Sequence, residues 1–229
     1  LWCVDDAPSI EMFLALFATV PVAYLTDGHH RTAAASRYVE RMEQGENPPV
    51  ADGAWNHVLV ALFPHDELRV LPFNRVVRDL GALADEDFLA QVAVPFEIEP
   101  VDADPDDPPL PANQGSFGMV LDHRCFLLHA RPGIANAADP SASLDVSLLQ
   151  NFLLGPVLGI SDCTSDCRLE YVSGAAGREG VNCLRDRGWR LAFYCHPTTV
   201  EDIMAVSDAG RIMPPNSTWL RTDSESGWS

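Results

Sequence analysis

Residues 102–111 read Asp-Ala-Asp-Pro-Asp-Asp-Pro-Pro-Leu-Pro, four Asp and four Pro in ten positions. Proline lacks an amide donor and fixes φ, so such a stretch can neither continue a helix nor pair within a sheet. Its carboxylates resist burial, which predicts an exposed, mobile loop. The flanking chain must then fold as separate runs. On both sides short β-branched segments alternate with amphipathic ones. The pattern predicts helices over 9–18, 32–44, 85–92, 144–154, 175–187 and 198–210. It predicts strands over 20–26, 57–63, 68–77, 96–101, 116–121, 125–130, 168–173 and 190–195. Residues 64–67 and Asp122-His123 read as hairpin turns, Asp85 and Ser143 as helix N-caps, and 198–201 as a capping box. The expected class is α+β with mixed sheets, in three parts: 1–101, an acidic loop and hairpin over 102–143, and an α/β lobe over 144–229.

The 229 residues are enough to bury a core, and 47% hydrophobic with 21% charged fits a folded chain. Acidic residues number 33 and basic residues 15, for a formal charge of −18, and every basic residue is Arg. A chain without Lys has no P-loop lysine, no Schiff-base amine and no protein-kinase strand lysine. The negative field argues against a nucleic-acid groove. The longest uncharged runs are too short for a membrane span. Six cysteines lie scattered; Cys163 and Cys167 are the only close pair, a zinc site there would need two more ligands, for example Cys183, Cys195 or His196, and ordinary thiols are the simpler reading. No signal peptide is visible, so the expected location is cytoplasm or an organellar matrix. The absence of an initiator Met suggests a preceding part. Trp2, Trp55, Trp189 and Trp219 are expected in the core.

One motif carries chemistry. Asp27-Gly28-His29-His30-Arg31 follows an apolar run and opens a helix. Gly28 permits a turn with positive φ. The amides of residues 29–31 would point out of the helix N-terminus, where anions bind. Arg31 adds a bidentate donor for a phosphate, and both His add further donors. The alternative is a structural cap, and a metal site from Asp27 with the two His is a third reading. The alanines at 33–35 would let the helix pack closely on a sheet. Elsewhere, Arg75 could face the same anion, and Ser217 and Thr218 could offer hydroxyls to a phosphate, each against a purely structural role. Asp5 and Asp6 read as a loop before a helix. No G-x-S-x-G elbow supports a serine hydrolase.

These residues resemble a known family. The segments 23–31, 68–77, 144–149, 157–160, 196–202 and 209–219 together are similar to the bacterial domain-of-unknown-function family 1015 (DUF1015). The Asp27–Arg31 box in turn looks like the nucleotide-binding box of the ParB/sulfiredoxin-like fold, which includes nucleotide-dependent free-serine kinases. The resemblance implies a ParB/sulfiredoxin-like N-terminal lobe. It further implies a phosphate or nucleotide site at Asp27, Gly28, His29, His30 and Arg31, with ATP or ADP and Mg²⁺ as cofactors. Two departures stand out. Asn216 occupies the position of a tail lysine in the family, and the family's front part with its own motif is not found within these 229 residues.

Two functions follow as expectations. The first is a nucleotide-dependent phosphotransferase acting on a small hydroxy amino acid such as serine. Asp27 would hold Mg²⁺ and serve with His29 and His30 in catalysis, while Gly28, Arg31, Arg75, Ser217 and Thr218 would bind phosphate. The second is a catalytically inactive family member that serves as a structural or interaction subunit of an assembly.

Overall fold

A computed structural model describes residues 2–26, 28–45, 53–136, 138–162 and 165–222. The chain divides into two compact units, Leu1–Leu62 and Phe63–Ser229. Asp27 and Cys163 lie outside the described residues, as do the side chains of His29 and His30.

Unit 1 is helical. Helix α1 spans Ala7–Phe17, with Pro8 in its first turn, where a missing amide costs nothing. Its N-cap is Asp6, whose carboxylate accepts the Ser9 amide at 2.9 Å; that bond holds Asp6 below its usual carboxylate range. Helix α2 spans His29–Glu43, three residues earlier than its apolar pattern indicates. A short 3₁₀ turn follows at Ala54–Asn56. The apolar runs 20–26 and 57–63 form no strand among the described residues. Their β-branched composition is right for a strand, but composition cannot supply the hydrogen-bonded neighbour that a strand requires. Nor do the alanines pack on a sheet: Ala33 and Ala34 are exposed.

Unit 2 is built on sheets. Strand β1 (Leu68–Leu71) and strand β2 (Phe73–Val77) are separated by Pro72, which divides the single expected run. Residues 65–67 form a 3₁₀ turn instead of a hairpin. Helix α3 is Asp85–Val92, capped at Ala84 with Asp85 inside the first turn, where its charge suits the helix dipole. Then come β3 (Phe96–Val101), β4 (Ser116–Leu121) and β5 (Arg124–Ala130). Helix α4 (Asp145–Leu149) widens into a π-helical turn at Gln150–Leu154; its cap is Leu144, one residue past the expected Ser143. The chain closes with β6 (Leu169–Ser173), α5 (Gly177–Asp186), β7 (Leu191–Cys195), α6 (Val200–Asp208) and β8 (Trp219–Thr222). The capping box of α6 is Thr199 with Asp202, one residue on from the expected pair.

Six strands form one antiparallel sheet in the order β3-β5-β4-β7-β2-β6. Strands β1 and β8 make a separate two-stranded ladder, Leu68 opposite Thr222; β8 has no counterpart in the sequence pattern. The architecture is α+β. Every residue of β4 and β7 is buried, because both faces of the sheet are covered. One face packs Phe117, Met119 and Phe193 against Phe88 and Val92 of α3 and Leu148 and Leu149 of α4. The other packs Val120, Ala192 and Tyr194 against Val181 of α5 and Trp189. Trp2 and Trp219, by contrast, are exposed.

The acidic proline segment is pinned to α5, contrary to the mobile loop expected. Arg185 donates to the Pro105 carbonyl at 2.7 Å and to Asp106 at 2.8 Å, Arg178 pairs with Asp107, and Asn182 donates to the Asp106 carbonyl. Pro108 is buried. The Pro109 carbonyl lies so close over Gly118 that a Cβ there would fall 2.3 Å from it. Proline and aspartate do not pack as a core, but three side chains of α5 satisfy their carbonyls and charges. No helix among the described residues is long and apolar enough to cross a membrane.

Candidate functional site

The box in unit 1 begins with Gly28, which sits in the left-handed region at φ 82° and ψ 18°. Only glycine takes this conformation without strain. The helical ladder starts with the Thr32 amide donating to the Gly28 carbonyl at 2.9 Å. The amides of residues 29–31 therefore precede the ladder, as the first amides of any helix do. No side chain of the N-cap residue takes them, and the first turn holds no acidic residue. Arg31 is exposed, and its guanidinium folds back over the turn: a Cβ on Gly28 would sit 3.3 Å from Arg31 Nη2. A left-handed glycine, a 15-residue helix dipole and an arginine thus converge at one helix end.

Arg75, Ser217 and Thr218 belong to unit 2. Arg75 is 4% exposed. Its guanidinium donates to the Phe73 carbonyl and, at 2.9 Å, to the Asn216 carbonyl, and lies 5.2 Å from the Tyr171 ring centre. Ser217 is buried; its hydroxyl donates to the Pro214 carbonyl at 2.7 Å, and its carbonyl accepts the Thr198 hydroxyl. Asn216 takes a left-handed φ of 50°, which asparagine tolerates. Thr218 is half-buried. Arg75 and Ser217 thus come together in one knot that fastens the tail to β2. Beside it, burial pushes the Cys195 thiol up to about 11, against the pull of Arg75.

Sequence reasoning did not single out Asp145. It is 4% exposed at the start of α4; Oδ1 accepts the Gly115 amide at 2.7 Å, and Oδ2 is buried without a hydrogen-bond partner. Burial pushes its carboxyl up to about 7, the Gly115 amide opposes this, and the Asp202 carboxylate adds to it. Asp202 in turn accepts the Thr199 amide and the Gln114 side chain, each at 3.0 Å. The sequence signal was an Asp at the head of an apolar helix, which ordinarily reads as an exposed dipole partner; the approach of Gly115 from another loop is what buries it. Among the described residues no three His, Cys, Asp or Glu side chains converge as metal ligands.

A family model described as "Protein of unknown function (DUF1015)" matches residues 1–147. No curated protein matches the chain. Among solved structures the chain is similar to a conserved hypothetical protein from Pyrococcus furiosus, at TM-score 0.47 and 12% identity, over 87% of this chain and 70% of that one. It is also similar to a free serine kinase in complex with AMP, at TM-score 0.49 and 12% identity, over 96% of this chain and 82% of that one. A mutant of a free serine kinase in complex with ADP aligns at TM-score 0.46 and 14% identity, over the same shares.

Proposed function

The chain belongs to the DUF1015 family, and from the geometry at the head of α2 we propose that it binds the phosphates of an adenine nucleotide there. In this reading it is a nucleotide-dependent phosphotransferase acting on a small hydroxy amino acid such as serine. The observation that carries the reading is the left-handed Gly28 opening a helix with no acidic first-turn residue, with the Arg31 guanidinium folded over the turn. In a chain of charge −18, a helix whose first turn holds no acidic residue and whose head carries amide and guanidinium donors suits an anion.

The residues fit the phosphate half of such a ligand. The amides of residues 29–31 would donate to non-bridging oxygens, and Arg31 would neutralise charge as it develops. Phosphoryl transfer asks for positioning and charge neutralisation more than for covalent chemistry by the protein. Asp27 is the residue assigned to Mg²⁺, and it lies outside the described residues. Arg75 and Ser217 are spent on backbone carbonyls, which counts against a phosphate role for either.

Calorimetric titration of the chain with ADP and ATP, with and without Mg²⁺, tests the reading. Saturable binding is expected, with Arg31→Ala weakening it by roughly 10- to 100-fold, the worth of a charge-assisted arginine–phosphate pair. Absence of binding, or equal binding by the variant, would remove the assignment.

One observation favours the second reading, an interaction subunit without catalysis. Helix α1 has no buried residue, and Met12, Phe13, Leu14, Leu16 and Phe17 are all exposed. So much apolar surface on one helix suits a protein contact. That reading expects a stable complex on size-exclusion chromatography that survives Arg31→Ala.

A further inference from the structure

Helix α5 presents Arg178, Asn182 and Arg185 at i, i+4 and i+7, on one stripe. All three hold the acidic proline segment 102–111, which lies as a strap against them. Arg185 keeps only 10% of its side chain exposed. A guanidinium so buried must fill its donors. Its Nη1 serves the Pro105 carbonyl and Asp106, and its Nη2 donates to the Asp122 carbonyl at 3.0 Å.

The strap's own carboxylates are wet. The side chains of Asp106 and Asp107 are 71% and 69% exposed, and ion pairs to carboxylates in water contribute little. The donors of α5 therefore need acceptors, while the acceptors that now serve them are held weakly. Such contacts exchange readily for an anion of denser charge.

Beneath the strap lies a polar group that the strap does not serve. Tyr194 is 1% exposed, and its hydroxyl has no hydrogen-bond partner. Its Cβ packs beside Gly118, over which the Pro109 carbonyl lies. Burial pushes the hydroxyl up to about 12 while Arg185 and Arg178 pull it down, so both guanidiniums are in its neighbourhood. A phenol, a carboxamide and two guanidiniums thus bring donors to one place. The acids nearby are engaged or turned aside. Asp104 belongs to the strap, Asp122 pairs with Arg190 at 2.6 Å, and Glu179 and Asp186 fall on the next stripe of the helix.

We propose that Arg178, Asn182, Arg185 and the Tyr194 hydroxyl form a site for a linear anion bearing two or more phosphate groups, and that the strap occupies it as an internal stand-in which such a ligand displaces. Arg178 and Arg185 are two turns apart, roughly 10 Å along the axis, a reach that suits a chain of phosphates better than a single one. Each guanidinium matches a phosphate as a bidentate donor. The site belongs to unit 2 and is independent of the head of α2.

Cys125 reports the exchange. Its thiol is buried and donates to the Ala103 carbonyl at 3.6 Å, so a displaced strap uncovers it. Cys195 is buried in the core on the other face of the sheet and reports global unfolding instead. Alkylation of the full chain by iodoacetamide, read residue by residue by mass spectrometry, follows both. Sodium tripolyphosphate is expected to speed Cys125 alkylation at least fivefold over sodium chloride of equal ionic strength, with Cys195 unchanged. The variant Asp106→Asn/Asp107→Asn weakens the stand-in without touching the site, and is expected to respond at a tripolyphosphate concentration at least threefold lower. Arg178→Gln is expected to raise the basal rate and blunt the response, whereas Arg31→Ala leaves it intact, which separates this site from the head of α2. Four results overturn the proposal: an equal effect of sodium chloride, which would mean screening of the strap's ion pairs; Cys195 reacting in step with Cys125; an Asp106/Asp107 variant no more responsive than the parent; and an undiminished response in Arg178→Gln.

Discussion

Asp145 shows how a single buried group makes stability depend on pH. Its carboxyl titrates near 7 in the folded protein, well above the value near 3.9 of an unfolded Asp. Between those values the folded state holds a proton that the unfolded state has lost. Stability contributed by this group is therefore complete below about pH 4, falls as pH rises toward 7, and is flat above that. Asp145→Asn keeps an oxygen for the Gly115 amide and removes the titration. The variant is expected to gain on the parent as pH rises, by of order 2–4 kcal/mol between pH 4 and 8, read from urea unfolding at a series of pH values. A constant difference across the series would show that Asp145 ionises freely. Nothing in Leu144-Asp145-Val146 announces this. The burial comes from Gly115, thirty residues upstream, and the raised carboxyl is a tertiary property.

At the scale of elements, the acidic proline segment and α5 depend on each other. Arg185, with only 10% of its side chain exposed, holds the Pro105 carbonyl, Asp106 and the Asp122 carbonyl together. Arg185→Met removes every one of these donors and leaves part-buried carbonyls unsatisfied. A loss of about 2–4 kcal/mol is expected, with faster limited proteolysis between residues 102 and 111; unchanged proteolysis would mean that the loop is held by other contacts. Most elements of unit 2 were legible in the sequence, because alternating apolar runs between turn residues determine them locally. The hairpin around Asp122-His123 and the helices 85–92 and 175–187 fall within two residues of expectation. The runs 20–26 and 57–63 were not legible: they have the residues of strands and lack the partner. Strand β8 failed in the opposite way, since Trp219–Thr222 is too short and too mixed to declare itself and exists through its ladder with β1. At the candidate site, the left-handed turn at Gly28 was legible from turn chemistry. That Arg75 and Ser217 are spent on the tail was not, because sequence spacing does not say which carbonyl a donor will meet.

At the scale of the molecule, the two units differ in how much they bury. Strands β4 and β7 are buried along their whole length, whereas α1 buries nothing. Local opening follows buried apolar contact, so amide exchange is expected to be slowest in Ser116–Leu121 and Leu191–Cys195 and orders of magnitude faster in Ala7–Phe17. Mass-spectrometric exchange of the full chain reads this, and comparable protection in α1 would mean that its apolar surface is covered in solution. The strand order carries a consequence for synthesis. Strand β7 lies between β4 and β2, yet it leaves the ribosome after both. Until residue 195 emerges, the nascent chain holds two partial sheets with sticky inner borders and nothing to join them, a situation that invites misassembly and chaperone capture. A premature stop anywhere before Leu191 would leave that gap open permanently.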